Sequence, residues 1–298
     1  NTYNKKGDIN QAAKTLQEAL KINPNDNSLK IQLANIYQNN SNYENALKYY
    51  DEILISDKTN YPALYNKAIV ESALGKYQEA NNLYNNLLKE DEKVLSENKI
   101  YKTDIQNDIF ENQIKTAQNY IQQGEYKKAK NIYTKLLEAN TEDYRIYLGL
   151  ADISYEQNMT TFAKDYYEKA IQMDNTDDEV LSKYAKVLYE MKDYETASAV
   201  LDKALEVNPS NDEIYYNKAL IEYENKNFEK AIQNIQKAIS INENSSNYYY
   251  LEGLIYDVSN NPKDAIFAFE KFMELTDDSN LKNQIQTKIK ELYDALVQ

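Results

Sequence analysis

DEVLSKYAKVLYEMKDYETASAVLDKALEVNPSN, residues 178–211, lies on the sequence above and below it without a gap when the chain is stepped by 34 residues. Counting Asp178 as position 1, it places Leu181 at 4, Tyr184 and Ala185 at 7 and 8, Leu188 at 11, Tyr194 at 17, Ala197 at 20, Leu201 at 24, Ala204 at 27 and Pro209 at 32. Stepping in both directions gives units at 110–143, 144–177, 178–211, 212–245 and 246–279, whose position-20 residues are Ala129, Ala163, Ala197, Ala231 and Ala265. A small side chain there lets two helices approach closely. A second set in the same phase covers 27–60 and 61–94, with Ala46 and Ala80 at position 20 and Tyr43 and Tyr77 at position 17. Seven whole repeats are expected.

The two sets are out of step by residues 95–109, LSENKIYKTDIQNDI, which hold neither Gly nor Pro to stop a helix. A helical insertion is expected there, with Thr103 and Gln106 as a capping box and Tyr101, Ile105 and Ile109 on one apolar face. The first helix of the 110–143 unit should therefore start early. Residues 1–26 read as a partial repeat that opens at position 9, the reading of a piece of a longer chain. At the other end, residues 280–298 carry Leu281, Ile285, Ile289, Leu292 and Leu296 on one helical face, the pattern of a helix that caps a stacked core against water.

Gly and Pro fall where the repeat bends. Gly7, Gly75 and Gly124 occupy position 15, the turn within a unit, and Gly253 occupies position 8, where helices touch. Pro24 and Pro209 stand between units, and Pro62 and Pro262 stand in first helical turns, where a missing N–H costs little. Gly149 at position 6 has no place in this scheme.

The pattern resembles the tetratricopeptide repeat, a helix-turn-helix of 34 residues. The resemblance implies an all-α fold, a right-handed superhelical α-solenoid of helix-turn-helix repeats with a C-terminal capping helix, spanning 1–298 as a single array. It also implies a job, the holding of another molecule in a groove. Each helix is about a dozen residues and marginal alone in water, so stability must come from apolar faces buried between consecutive units.

Composition narrows the job. With 48 acidic against 34 basic residues the net charge is −14; nucleic acid and anionic membrane would be repelled. There is no apolar run long enough for a membrane span and no signal-peptide core at the start. His and Cys are absent, which removes imidazole bases, thiol nucleophiles and zinc fingers, and there is no Gly-rich phosphate loop. The densest carboxylates, DNTDDE at 174–179, lack the Gly and terminal Glu of a calcium loop; Asp there is expected to cap the next helix. No cofactor and no enzymatic activity are expected, and the compartment stays open between the cytoplasm and the cell envelope.

In the tetratricopeptide family, positions 2, 5, 6, 9, 12 and 13 of first helices commonly face the ligand. Here position 12 gives Tyr155, Tyr189 and Tyr223, and position 13 gives Glu156, Glu190 and Glu224. Position 5 adds Tyr65, Tyr216 and Tyr250, position 6 adds Asn66 and Asn217, and Lys186 at position 9 partly offsets the acids. Position 13 is usually Lys in the family, so three successive Glu reverse its sign. The Lys and Asn clamp by which some members hold acidic C-termini is missing: Asn35 at position 9 follows Ile31 at position 5, and Asn217 is followed by Asn247 and Leu251. The expected partner is an extended or helical segment of another protein, basic in character, held by salt bridges and cation–π contacts. Two alternatives stand: the array is the substrate-recruiting part of a larger enzyme or sensor, or its tyrosines stack sugars. Self-association through the N-terminal end is a further expectation.

Overall fold

The computed structural model describes residues 2–139, 141–174 and 177–297, with side chains from residue 9 to 296 within those ranges. Among the described residues there are helices and no strands. The chain divides into two compact units, Asn1–Ile132 and Tyr133–Gln298.

In the first unit, α1 (Thr2–Ile22) precedes two helix pairs, α2 (Asn27–Asn39) with α3 (Tyr43–Ser56) and α4 (Tyr61–Ala73) with α5 (Tyr77–Leu87); a short α6 (Glu92–Glu97) and the long α7 (Lys102–Gln122) follow. The boundary falls within α8 (Tyr126–Glu138). The second unit continues with four pairs: α9 (Tyr144–Glu156) and α10 (Thr160–Met173), α11 (Asp178–Glu190) and α12 (Tyr194–Val207), α13 (Asp212–Glu224) and α14 (Phe228–Ile241), α15 (Ser246–Val258) and α16 (Pro262–Leu275). It ends in α17 (Ser279–Val297). Within each unit every second helix packs on its own first helix and on the first helix of the next pair. The chain is an all-α solenoid.

Local chemistry writes these boundaries. Side chains of Asp26, Asn60, Asp143, Asp177 and Asn211 cap first helices, and those of Asn42 and Asp193 cap second helices, each satisfying amide donors that the first turn leaves without partners. Asp177, in the acidic stretch 174–179, accepts from the amides of Glu179 and Val180; Asn175 and Thr176 of that stretch lie outside the described residues. Between paired helices the chain reverses through one residue in the left-handed region. That residue is always at position 15: Ser41, Gly75, Gly124, Asn158, Lys192, Lys226 and Asn260, with φ between 56° and 77°. At Lys192 the amide bonds to Tyr189 O, and Asp193 N–H reaches Leu188 O, both at 2.9 Å, the double closure that ends a helix on a left-handed residue.

The cores are built from the same register. The seven position-20 alanines, Ala46, Ala80, Ala129, Ala163, Ala197, Ala231 and Ala265, are all 0% exposed. Position 24 supplies the large buried groups Tyr50, Tyr84, Tyr133, Tyr167, Leu201, Ile235 and Phe269. Gly149 now has a reason, because a β-carbon on it would run into the Tyr133 ring.

Four expectations are corrected. First, α1 runs unbroken through Gly7, where a turn was expected: a single Gly inside a helix costs only about 1 kcal/mol against Ala, and the good helix formers of the run AAKTLQEALK that follows outweigh it. Second, Leu95 belongs to the separate helix α6, which ends on left-handed Lys99 (φ 58°). Third, α7 starts at Lys102, with Tyr101 as an N-cap that makes no side-chain bond, so Thr103 and Gln106 form no capping box. Burial sets that start, since Ile100 and Ile105 sink beside Ala80, Tyr84 and Leu87 while Tyr101 stays 53% exposed. Fourth, in α17 Ile285, Ile289 and Leu292 join Phe269 and Phe272 in the core, but Leu296 remains 40% exposed, one turn beyond the end of the surface it would cover.

Candidate functional site

In the second unit, first helices lie beside one another: α11 touches α13, and α13 touches α15. Between α11 and α13 opens a groove of about 800 Å3. Ala185, Leu201, Leu220 and Ile221 make its apolar lining, and Tyr189 and Tyr216 flank it. The carboxylates of Asp178, Glu179, Glu190 and Glu213 face the ammonium groups of Lys183 and Lys186, with Asn211, Asn217 and Ser182 among them. Ser182 Oγ is buried in the wall with no hydrogen-bond partner among the described residues.

The charges are not equally available. Lys183 is committed to Asp152 and Glu179, each at 3.2 Å; burial lowers its pKa, but these carboxylates outweigh that and hold it charged. Lys186 instead lies 5.1 Å above the Tyr155 ring. Asp178 accepts from the side-chain amides of Asn208 (3.1 Å) and Asn211 (2.9 Å). The Tyr155 hydroxyl donates to Glu190, and the Tyr189 hydroxyl donates to Glu224 at 3.5 Å. Burial first, then these carboxylates, pushes both phenols upward, so they remain protonated donors at neutral pH.

The structure thus brings Tyr155, Lys186, Tyr189, Glu190, Tyr216, Asn217 and Glu224 together along α9, α11 and α13, with Glu156 at the end of α9. The Tyr216 ring lies tilted against that of Tyr248, 5.1 Å between centroids, and the Tyr223 ring lies 6.2 Å from that of Phe228. Tyr250 is held between Phe269 and Phe272 as core packing. Tyr65 and Asn66 belong to the first unit, where they are engaged internally: Tyr65 donates to Asp108 at 3.3 Å and Asn66 to Asn35 at 3.1 Å. Sequence reasoning missed Glu179, Ser182, Lys183 and Glu213, although positions 2, 5 and 6 pointed to them. The available signal was at position 2, where Glu179 and Glu213 repeat one residue type in successive units.

Three stretches of the chain match family models. Residues 2–63 and 114–143 match the tetratricopeptide repeat, and residues 134–249 match the TPR domain of cytochrome c-type biogenesis protein H. The chain is a tetratricopeptide repeat protein. Among solved structures, this repeat protein is similar to MamA (22% identity, TM-score 0.51, 58% of this chain and 96% of that one). It is also similar to MamA 41-end from Desulfovibrio magneticus RS-1 (20%, 0.52, 55% and 94%) and to PilF of Pseudomonas aeruginosa (21%, 0.55, 61% and 83%). At such identities the likeness shows the fold alone. A comparison with curated proteins finds no match. As a tetratricopeptide repeat protein it is a scaffold for interaction with other proteins. Among the described residues no helix is long and apolar enough to cross a membrane.

Proposed function

We propose that this scaffold, without catalysing a reaction, binds an extended segment of another protein in the groove of its second unit, and that the segment carries Lys or Arg. The observation that carries the reading is the lining of the groove: two tyrosines over an apolar base, with four carboxylates against two ammonium groups, one of them already paired. Aromatic side chains at such a place supply area and cation–π attraction at low entropic cost. Carboxylates choose the sign of the partner and speed its encounter. The Asn217 carboxamide offers hydrogen bonds to a main chain lying along the groove.

The test is fluorescence anisotropy with unstructured Lys-containing peptides, comparing the parent chain with Tyr189→Ala and Glu190→Lys. Each variant is expected to weaken binding at least about tenfold, which is ~1.4 kcal/mol. Equal binding by all three proteins, or binding of oligosaccharides in preference to peptides, would remove the groove as a site for basic segments.

A further inference from the structure

The rim of the second unit carries a spacing as well as a charge. Position 13 ends three successive first helices with Glu156, Glu190 and Glu224, all exposed. The phenol of Tyr155 reaches across to Glu190 and that of Tyr189 to Glu224, so each of these two carboxylates is tied to the helix before its own. A carboxylate that accepts one such bond keeps acceptor sites for a second donor. The rungs therefore fix where the negative charges stand without using them up.

At the fourth place the series changes. Thirty-four residues after Tyr223 comes Asp257, which pairs with Lys288 of the capping helix at 2.7 Å, and after Glu224 comes Val258, 47% exposed. The rim thus reads acid, acid, acid, apolar from α9 to α15. Lys186, one turn before Glu190 on α11, opposes any basic side chain placed deeper than the rim.

Successive first helices are bridged by a tyrosine hydroxyl on one and a carboxylate on the next, a reach on the order of the 8–10 Å between helix axes. A chain in the polyproline II conformation rises about 3.1 Å per residue and completes a turn in three, so every third side chain returns to the same face after about 9 Å. We infer that the segment bound by this scaffold presents Lys or Arg at every third residue to Glu156, Glu190 and Glu224, and an apolar residue at the next such step to Val258. The inference rests on the basic-segment reading above and adds its register.

The experiment uses the whole 298-residue chain and Pro-containing, non-helical peptides of one composition, with three lysines spaced by two, three or four residues and a Leu at the next step. A helical peptide with lysines seven apart is added. The three-residue spacing is expected to bind at least about tenfold tighter than the others, and Val258→Glu is expected to shift preference from the terminal Leu to a fourth Lys. Val258 is 47% exposed and ends α15, so the circular dichroism and melting temperature of this variant are compared with the parent to show that the fold is kept. Equal affinity at all spacings would overturn the register while leaving the basic-segment reading in place. Preference for the helical peptide would also overturn it, and no binding by any basic peptide would overturn both.

Discussion

Gly149 shows how much can hang on one absent β-carbon. Its place in α9 is occupied by the ring of Tyr133, which is 1% exposed, so Gly149→Ala must displace an aromatic core residue. Overpacking of this kind costs about 1–3 kcal/mol, and chemical denaturation should register that loss. The opposite sign is expected at Lys192. Its φ of 62° forces a β-carbon toward the following carbonyl, a strain of about 1–2 kcal/mol that glycine avoids, though glycine gives back part of it through its freer unfolded chain. Lys192→Gly should therefore stabilise the protein by about 0.5–1 kcal/mol in the same measurement, with Gly75 and Gly124 as the natural precedents.

Between elements, polar rungs follow the register and change chemistry together. Position 7 of one first helix meets position 25 of the preceding second helix: Lys67 donates to Asp51 at 2.6 Å, Tyr184 to Glu168 at 2.7 Å, and Lys218 to Asp202. In α15 the polarity is inverted, since position 7 is Glu252 and its partner is Gln236. A second rung joins position 24 to position 9 of the same pair, with Tyr50 donating to Asn35 at 2.6 Å and Tyr167 to Asp152 at 2.5 Å. In the next pair, position 24 is Leu201 and needs no acceptor, and position 9 is Lys186, whose ammonium lies over the Tyr155 ring beside the groove. Glu252 is 8% exposed; burial raises its pKa, Gln236 opposes this and Asp264 adds to it. Its folded pKa therefore exceeds the unfolded value near 4.5, so ionisation costs stability above the folded pKa, and the cost disappears as pH falls toward 4.5. Glu252→Gln should raise the melting temperature at neutral pH and leave it nearly unchanged in mild acid.

At the scale of the whole molecule, a net charge of −14 acts on stability and on binding in opposite directions. Salt shortens the reach of charge from about 30 Å at 10 mM to about 8 Å at 150 mM. Added salt should raise the melting temperature by relieving self-repulsion, yet weaken capture of a basic segment. Calorimetry and anisotropy at matched ionic strengths check both signs, and a segment whose affinity rose with salt would count against an acidic groove.

The sequence by itself determined the 34-residue period, the alanines at which helices meet and position 15 as the turn within a unit. Each is a local demand of backbone geometry or of close approach: alanine answers the contact in every unit, while Ser, Gly, Asn or Lys takes the left-handed place at position 15. Tertiary structure alone decided what each tyrosine does: Tyr167 is core, Tyr250 packs between two phenylalanines, and Tyr189 faces the groove. A tyrosine is both a large apolar ring and a hydroxyl that needs a partner. Which half governs depends on acceptors that folding brings from about fifteen or thirty-five residues away, and periodicity assigns a face without naming those neighbours.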